Sequence, residues 1–367
     1  MTDRYGIESH KLMYHPQRVA DLIAAKDSWE KTKDIYPIYM EVSPIGACNH
    51  RCSFCAVDYI GYNPVRLDIE MMRDRLPEIG RLGVKSIMYA GEGEPLLHKQ
   101  ISIMTELTKQ SGIDVSFTTN ATVLPKDFLE RALPNTSWIK ASINAGTAKT
   151  YSEIHKTKEA DFFKAVDHLK QMVTYRQRHN IKITLGAQSL LLPENFCEIQ
   201  DLIKLCRDEI GLDYLVVKPY SQHMFSDTHI YEGIDYKEFF NLRDDLVEMS
   251  TKTFKVVFRD ETMRKHIEGN SQRYQKCHAT PNIWAYIMAD GRVFSCSAFL
   301  LDKRFDIGNI NTNSFKEIWR GETREKNFRF VSNELNISEC RVNCRMDKAN
   351  RFLESVMTED IEHVNFI

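Results

Sequence analysis

Seven of the nine cysteines in this 367-residue chain fall into two groups, and their spacing makes metal binding the first chemistry to consider. Three of them, Cys48, Cys52 and Cys55, occur within eight residues. Thiolates this close together can hold one metal centre without a large fold around them. A cubane [4Fe–4S] cluster takes four ligands, so three local thiolates would leave one iron open to a substrate or cofactor.

Zinc is the alternative occupant of this first group. Structural zinc prefers two separated Cys/His pairs in a closed tetrahedron, and His50 inside the motif could supply a fourth ligand. A fortuitous cluster of cysteines is the other alternative. The short, uninterrupted spacing favours iron–sulfur over zinc.

The second group lies in the last quarter of the chain and consists of Cys277, Cys296, Cys340 and Cys344. The segment 284–296 is typical of two short strands around an Asp-Gly turn, which would bring the first two cysteines together. A helix or turn would set the last two side by side. Four cysteines in two pairs can enclose one metal site, and zinc fits that count as well as iron–sulfur does.

The elements that must position the first group are six apolar runs that alternate with amphipathic stretches. The connections between the runs are long enough for helices, so the strands should be parallel. Six β/α units in a row predict an α/β fold with a partial, TIM-like (β/α)6 barrel, because the two further units of a full eightfold barrel are not evident. The predicted strands are 36–42, 86–90, 114–119, 138–144, 181–188 and 214–220.

Polar residues follow the ends of several predicted strands. Glu94 follows the second strand, Thr119 and Asn120 end the third, and Ser142 and Asn144 end the fourth. Each alone is ordinary turn or cap chemistry. In parallel α/β folds the ligand site lies at the carboxyl ends of the strands. Because these polar residues all follow strand ends, they predict a site at that edge of the sheet.

The C-x3-C-x2-C spacing, with the aromatic Phe54 just before the last cysteine, resembles the signature of the radical S-adenosylmethionine (SAM) superfamily. The resemblance covers about residues 36–225. It implies that Cys48, Cys52 and Cys55 bind a [4Fe–4S] cluster whose open iron is chelated by the amino and carboxylate groups of SAM.

Other positions fit the same resemblance. The Gly-Glu-Pro run at 93–95 looks like the family's Gly-Gly-Glu-Pro motif, although Glu92 stands where its first glycine usually is. In the family this carboxylate meets the SAM amino group, which is a favourable charge pair. The resemblance implies that the SAM-binding residues are Phe54, Gly93, Glu94, Pro95, Thr119, Asn120, Ser142, Asn144 and Val217.

The second cysteine group, in this context, resembles the C-terminal SPASM and twitch domains of that superfamily. Their C-x(9–15)-G-x4-C element matches Cys277, Gly291 and Cys296. A full SPASM domain has seven cysteines, so the four here, completed by Cys340 and Cys344, imply the shorter twitch form with one auxiliary [4Fe–4S] cluster. Four protein ligands leave no iron open, which suits electron transfer.

The resemblance implies a function. A low-potential donor such as flavodoxin or ferredoxin would reduce the first cluster, and SAM cleavage would give a 5′-deoxyadenosyl radical that abstracts hydrogen from the substrate. We expect oxidation of a small polar substrate (a sugar, nucleotide sugar or cyclitol), with the auxiliary cluster as electron acceptor. The alternatives are an epimerase, a peptide- or protein-modifying enzyme, and a non-catalytic zinc or iron–sulfur protein.

Three further residues are candidates for catalysis. Lys218 and Tyr220 follow the sixth strand and could supply acid/base groups, although a solvated loop explains them equally well. Cys197 follows the fifth strand and is the candidate hydrogen-atom donor for epimerisation. The other spare thiol, Cys206, continues an apolar stripe and is predicted to be buried core.

Composition excludes some classes of partner. The chain has 49 basic and 51 acidic residues without long blocks of one sign, so nothing predicts nucleic acid or a membrane as a partner. It lacks a signal peptide and a spanning run, so we expect it in the cytoplasm.

The short N-terminal part and the cysteine count favour a small substrate over a peptide. The expected divisions are an extension 1–35, a core 36–235, a linker 236–270, an auxiliary-cluster domain 271–350 and a tail 351–367.

Overall fold

Ten strands form one sheet in the computed structural model, which describes residues 5–268, 274–358, 362–363 and 365–366. All six predicted strands are present, with ends shifted by a few residues. The strands are β1 (Tyr39–Val42), β2 (Ser86–Tyr89), β3 (Asp114–Thr119), β4 (Thr136–Ser142), β5 (Thr184–Leu191), β6 (Tyr214–Pro219), β7 (Lys255–Phe258), β8 (Trp284–Ile287), β9 (Arg292–Phe294) and β10 (Asp306–Asn309).

The sheet order is β10-β9-β8-β1-β2-β3-β4-β5-β6-β7. Every pair from β8 through β1 to β7 is parallel, whereas β9 and β10 extend the sheet in antiparallel fashion. This confirms the predicted α/β fold with a C-terminal iron–sulfur-type domain. Two parallel strands more than predicted flank the six, and β7 and β8 do not pair with each other within the described residues.

Thirteen α-helices accompany the sheet in the described part of the chain. They are α1 (Pro16–Ala25), α2 (Trp29–Thr32), α3 (Ile69–Arg81), α4 (Ile101–Gln110), α5 (Ala148–His155), α6 (Glu159–Arg178), α7 (Ile199–Lys204), α8 (Lys237–Phe240), α9 (Arg243–Glu248), α10 (Asp260–Glu268), α11 (Phe315–Arg320), α12 (Glu322–Asn333) and α13 (Asp347–Thr358). Those between β1 and β6 are the crossovers that make the strands parallel.

Strand alternation gives the sheet two different faces. On β4, Ile139 and Ala141 pack into the main apolar core beneath the helices, so Lys140 and Ser142 face the other way. The same alternation puts the apolar core residues of every parallel strand on one face and a largely polar set on the other. We call the second face the lumen; it carries Glu41, Ser116, Lys140, Ser142, Gln188, Val216 and Lys218.

Residues at the start of the described chain pack against the barrel strands. The Tyr5 ring lies 5.0 Å from the Tyr214 ring, centroid to centroid, and Arg259 Nε donates to Glu8 Oε1 at 3.1 Å. Arg259 follows β7, so this ion pair connects the N-terminal segment to the far edge of the parallel sheet. Within the described residues no helix combines the length and apolarity needed to cross a bilayer.

The C-terminal part joins the barrel through backbone pairing as well as side chains. Strand β8 pairs with β1, with Tyr39 opposite Trp284. Trp319 Nε1 donates to the Ile35 carbonyl at 2.8 Å, and the Glu78 carboxylate accepts the first amides of α11. The segment 236–270, expected to be a linker, adds β7 to the sheet.

Candidate active site

The first three cysteines lie together in the loop that follows β1. Backbone hydrogen bonds fix this loop, including Cys55 N to Cys52 O at 3.1 Å and Ser53 N to Ile154 O at 2.9 Å. Burial raises the pKa of the Cys48 thiol to about 11. Burial, followed by the charges of Cys55 and Cys48, raises the pKa of Cys52 as well. Three partly buried thiols that disfavour one another's ionisation are suited to a cationic metal centre, which would stabilise all three thiolates.

Gly93 sets the distance between this loop and the loop after β2. A Cβ atom at this position would lie 2.2 Å from the Ile45 carbonyl oxygen and 2.4 Å from that of Ala47. Glu94 N donates to the same Ala47 oxygen at 2.9 Å. Only glycine allows this approach, and the approach brings the Glu94 side chain beside the cysteine loop.

The Glu94 carboxylate is buried and held from three sides. Oε1 accepts from Leu96 N at 3.0 Å and from Thr119 Oγ1 at 2.5 Å, and Oε2 accepts from Asn120 N at 2.7 Å. A carboxylate oxygen can accept two hydrogen bonds, so Oε2 retains capacity for a cationic donor. Burial raises the pKa of this carboxyl group despite the three hydrogen bonds, and a neighbouring ammonium would restore its charge.

Glu92, which replaces the usual glycine, contacts the C-terminal domain. Its side chain is buried, and Oε1 accepts from Ala289 N at 2.6 Å in the turn between β8 and β9. The departure from the family motif therefore has a structural explanation here.

Asn120 ties the end of β3 to the cysteine loop. Its Nδ2 donates to Asn49 Oδ1 at 2.8 Å, and Asn49 Nδ2 donates to Thr122 Oγ1 at 2.8 Å. The sequence predicts a site role for Asn120 from its place at the strand end, but none for Asn49. No local pattern marks Asn49, because its role depends on contact between two distant loops.

The ends of β4, β5 and β6 are linked by a chain of polar side chains in the lumen. Gln188 Nε2 donates to Ser142 Oγ at 2.8 Å, and Lys218 Nζ donates to Gln188 Oε1 at 3.1 Å. Gln188 was missed, although it ends the predicted fifth strand as Ser142 ends the fourth. Asn144 instead faces the backbone, since its Oδ1 accepts from Leu190 N at 2.7 Å.

Two histidines lie beside the cysteine loop: His50, which the sequence offered as a possible zinc ligand, and His155, which was missed. His155 Nδ1 lies 3.2 Å from Cys52 Sγ, and ligand atoms of His50, Cys52 and His155 all lie within 4.8 Å of one another. This trio could hold a single metal ion. It leaves out Cys48 and Cys55, however, which are close enough to Cys52 to raise its pKa.

The remaining candidates are placed as follows. The centroid of the Phe54 ring lies 5.3 Å from that of the His155 ring. Phe54 also packs in a small apolar cluster with Tyr220. The Tyr220 hydroxyl donates to Gln222 Oε1. Pro95 starts a short 3-10 turn. Cys206 is fully buried, which confirms that prediction.

Two candidates lie apart from the others. Val217 is buried in the main core, on the face opposite Lys218, because strand alternation turns it toward the helices. Cys197 is exposed on a turn after β5, and in the described part of the chain it forms no hydrogen bond with the other candidates. The structure therefore offers Val217 no place in the lumen and brings Cys197 to none of the other candidates.

The four C-terminal cysteines converge. Burial, then the charges of Cys344, Cys277 and Cys340, raises the pKa of Cys296. Gly291 makes the predicted turn with a φ of +87°, in the left-handed region, so β8 and β9 form the expected hairpin. Four close thiols from separate segments can ligate every iron of a cluster.

The two cysteine groups are neighbours. Tyr59 and Ile60, just after the first group, pack in the same apolar cluster as Cys277, Cys296 and Cys340. Ser226 Oγ, from the loop after β6, donates to the Cys55 carbonyl at 3.1 Å and to Asp58 Oδ1 at 2.8 Å. One apolar cluster thus separates the two thiol groups.

Comparison with known proteins agrees with this geometry. The family model "Radical SAM superfamily" matches residues 42–206, and the model "Iron-sulfur cluster-binding domain" (SPASM) matches residues 277–345. A cofactor-modifying protein for tungsten-containing aldehyde ferredoxin oxidoreductase from Pyrococcus furiosus is 22% identical over 89% of this chain and 90% of its own length. A GTP 3′,8-cyclase from Chlorobaculum tepidum is 23% identical over 59% of this chain and 63% of its own.

Solved structures show the same fold. SuiB of Streptococcus suis bound to S-adenosylmethionine superimposes with a TM-score of 0.65 at 17% identity, covering 92% of this chain and 76% of SuiB. The structure titled "Native anSMEcpe with bound AdoMet" gives a TM-score of 0.58 at 17% identity, over 88% of this chain and 96% of that one.

The residues present fit the cofactors that these families use. Three partly buried thiols lie beside a buried carboxylate with spare acceptor capacity, and four more thiols converge nearby. The chain belongs to the radical SAM superfamily and carries a C-terminal SPASM-type iron–sulfur domain, with SAM and iron–sulfur clusters as its cofactors.

Proposed function

We propose that this enzyme oxidises a small polar substrate bound in the lumen. Cys48, Cys52 and Cys55 would hold the SAM-binding [4Fe–4S] cluster. When bound, that cluster and SAM supply reductive cleavage of a carbon–sulfur bond and, from it, hydrogen-atom abstraction from the substrate.

Three polar groups are suited to orient SAM. Glu94 Oε2 would accept the SAM ammonium, because a buried carboxylate with spare acceptor capacity pairs favourably with a cation. Ser142 and Gln188, at neighbouring strand ends, would bind polar groups of the same cofactor. Phe54 would pack against its adenine from the side of His155.

Lys218 is the proposed proton acceptor of the oxidation. Burial, and then the charge of Lys140, lower its pKa well below the ordinary value, which favours the neutral amine that a proton acceptor needs. Its Nζ already donates to Gln188 Oε1, which leaves the nitrogen lone pair for a substrate proton. Tyr220 and Cys197 are weaker candidates, because the tyrosine hydroxyl is engaged by Gln222 and the thiol is exposed.

A cavity of about 480 Å³ lies beside the barrel, next to the loop after β6, and is lined by Tyr220, Ser221, Gln222, Tyr236, His266 and Val342 among others. Its lining includes none of the lumen residues, so it would hold only the part of a substrate that extends past Tyr220. This volume is in the range of small-molecule sites. Polar groups along its wall would recognise a sugar-like compound.

Cys277, Cys296, Cys340 and Cys344 would hold one fully ligated auxiliary cluster of the twitch type. A cluster without an open iron suits electron acceptance. We further propose a cytoplasmic flavodoxin or ferredoxin as the electron donor. The observation that supports the whole proposal is the packing of Tyr59 and Ile60, next to the first thiols, in the same apolar cluster as the second thiols. An auxiliary cluster held by the second thiols would then lie near the proposed radical site.

The test is metal and product analysis on anaerobically reconstituted protein. We expect about eight irons and eight sulfides per chain, and 5′-deoxyadenosine when dithionite and SAM are added. The Cys296→Ala, Cys340→Ala variant should lose about four irons yet still cleave SAM.

Candidate substrates deuterated at carbon would then be screened for deuterium in 5′-deoxyadenosine, with the product two hydrogens lighter than the substrate. Zinc in place of iron, or deuterium transfer only from peptides, would contradict the proposal.

A further inference from the structure

The loop after β6 is hydrogen-bonded to both cysteine groups. At one end, Ser226 Oγ donates to the Cys55 carbonyl at 3.1 Å. At the other end, the Ser221 carbonyl accepts from Arg341 Nη2 at 3.0 Å, and Arg341 directly follows a cysteine of the second group. The residues between Ser221 and Ser226 therefore lie between the two sets of proposed cluster ligands.

His223 is a buried residue in the middle of this segment. It is 1% exposed, and its ring stacks on the Tyr59 ring with 5.4 Å between centroids and 24° between planes. Tyr59 packs in the apolar cluster that contains three cysteines of the second group. The Phe225 ring lies 6.3 Å, centroid to centroid, from the ring of Phe299, in the turn that follows Cys296. These contacts hold His223 beside the segment that carries Cys296.

One hydrogen bond determines which ring nitrogen of His223 carries the proton. Phe225 N donates to Nδ1 at 3.2 Å, so Nδ1 is an acceptor and the neutral ring carries its hydrogen on Nε2. The Ser297 carbonyl, next to Cys296, acts on the ring as an acceptor does, so it lies on the Nε2–H side. Its geometry falls short of a hydrogen bond, and Nε2 has no partner in the part of the chain that the structure describes. The buried N–H group is thus directed toward the backbone next to Cys296.

A buried N–H group without an acceptor costs about 1–3 kcal/mol, so we expect His223 to have an acceptor in the holoenzyme. The proposed auxiliary cluster would bring sulfur atoms to Cys296, and the thiolates and sulfides of such clusters accept hydrogen bonds from nearby residues. A substrate oxygen is the alternative acceptor. The stacking of His223 on Tyr59, which packs with the second thiols, favours sulfur.

We propose that His223 Nε2–H donates a hydrogen bond to a sulfur of the auxiliary cluster, the Cys296 thiolate or a neighbouring sulfide. The inference rests on the proposed function, since it explains how this chain would favour electron acceptance at the second cysteine group. A donor at a cluster sulfur stabilises the reduced, more negative state and so raises the reduction potential. His223 would have this effect without touching the substrate.

Pulsed EPR of the wild-type holoenzyme tests the contact directly. The protein is labelled with ¹⁵N-histidine, reconstituted, reduced with dithionite and loaded with SAM, which binds the open iron and so changes the signal of the first cluster only. We expect a weak ¹⁵N coupling in the signal of the auxiliary cluster, and its loss in His223→Phe. A wild-type signal without this coupling, or a coupling that persists in His223→Phe, would overturn the inference.

A redox titration of the holoenzyme, followed by EPR, measures the consequence. His223→Phe keeps an aromatic ring against Tyr59 but removes the donor. It should make the auxiliary cluster about tenfold harder to reduce, a fall of about 59 mV for one electron. His223→Gln, whose amide can still donate, should recover more than half of this shift. The control His229→Phe, at an exposed position of the same loop, should leave the potential unchanged.

The outcomes separate this inference from the proposed function. An unchanged auxiliary potential in a His223→Phe enzyme that holds about eight irons would overturn the inference and leave the proposed function standing. An equal fall in His223→Phe and His223→Gln would also overturn it, because the loss would then be one of packing. A potential that depends on the donor, in an enzyme that oxidises no small substrate, would sustain the inference and contradict the proposed function.

Discussion

Two buried carboxylates, two residues apart, have different tasks in this enzyme. Glu92 accepts one amide from the turn between β8 and β9, while Glu94 accepts three donors and faces the thiols. The fact that Glu92 and Glu94 lie in the same loop therefore does not give them the same role. Their hydrogen-bond partners distinguish Glu92, which contacts the C-terminal domain, from Glu94, which we propose binds the cofactor.

Glu94→Gln should reduce SAM affinity at least tenfold while the iron content stays at the wild-type level. The amide lacks the charge that pairs with an ammonium, and its NH2 group must face a donor that Glu94 now accepts, which costs about 1–3 kcal/mol. Equilibrium SAM binding and iron analysis measure the two effects. Glu92→Gln is the matched control, because a glutamine oxygen still accepts from Ala289 N. Wild-type SAM affinity in Glu94→Gln would refute the assignment.

Lys140 should make the enzyme less stable at neutral than at alkaline pH. Its pKa is about 8 in the folded protein, below the ordinary value of 10.5, so folding disfavours the charged form. The penalty is complete below pH 8 and disappears as the pH rises toward 10.5. The charged or aromatic groups that face it are Glu41, Trp138, Lys218, Arg259 and Arg345.

Lys140→Met should therefore be more stable than wild type by about 1–2 kcal/mol at pH 6.5, after allowance for solvent screening. The gain should vanish near pH 10. Anaerobic thermal unfolding across this range measures it, with Lys126→Met as the control. A stability difference that does not change with pH would show that Lys140 does not titrate in the lumen.

At the scale of elements, the loops after β1 and β2 are held together by a backbone contact. Gly93→Ala should displace the cysteine loop, because the added Cβ would meet two carbonyl oxygens at 2.2 and 2.4 Å and no side-chain rotation can relieve a backbone clash. We expect a loss of about 1–3 kcal/mol and of about four irons per chain.

Gly112→Ala is the control for this substitution. Unlike Gly93, it has a positive φ, of +76°, but its added Cβ would meet no atom within 4 Å, so the substitution should cost about 1 kcal/mol and leave the iron content unchanged. A full iron content in Gly93→Ala would show that the loop contact is not required for the site.

The sequence was informative wherever structure depends on local pattern. Six strands and the hairpin at Gly291 follow from periodicity and turn residues, and all are present. Strand pairings between segments that are distant in the sequence were not predicted. Strand β7 begins 36 positions after β6 ends and pairs with it. Strand β8 pairs with β1, although most of the chain lies between them. A short apolar run can predict a strand but does not show which strand it pairs with.

In the candidate site, too, features that depend on local pattern were predicted and those that depend on distant contacts were not. Cysteine spacing and strand-end polar residues located the thiols and Glu94, but Asn49 and His155 acquire a role only when loops meet in space. Lys140 looked like an ordinary polar position of a strand. Its significance arises from charges contributed by β1, by the end of β7 and by the C-terminal domain.

At the scale of the whole molecule, the two matched families share one continuous sheet. β8 lies between β1 of the barrel and β9 of the hairpin beside the second thiols. Arg345, next to Cys344, pairs with Glu41 on β1, and α11 is capped by Glu78 from α3. Such sharing predicts that the two parts unfold together rather than as independent domains.

Hydrogen exchange tests this cooperativity. In the holoenzyme, amides of β3 in the barrel and of β8 should lose protection in the same opening reaction, because exposing β8 removes a neighbour from β1 and opens the core. Cys340→Ser, which removes one ligand of the proposed auxiliary cluster, should lower protection of β3 and β8 by equal factors, within about threefold. The exposed Cys197→Ser should change neither. Faster exchange of β8 with unchanged β3 would mean that the C-terminal domain opens alone, and the barrel could then keep its fold and SAM site without the auxiliary cluster.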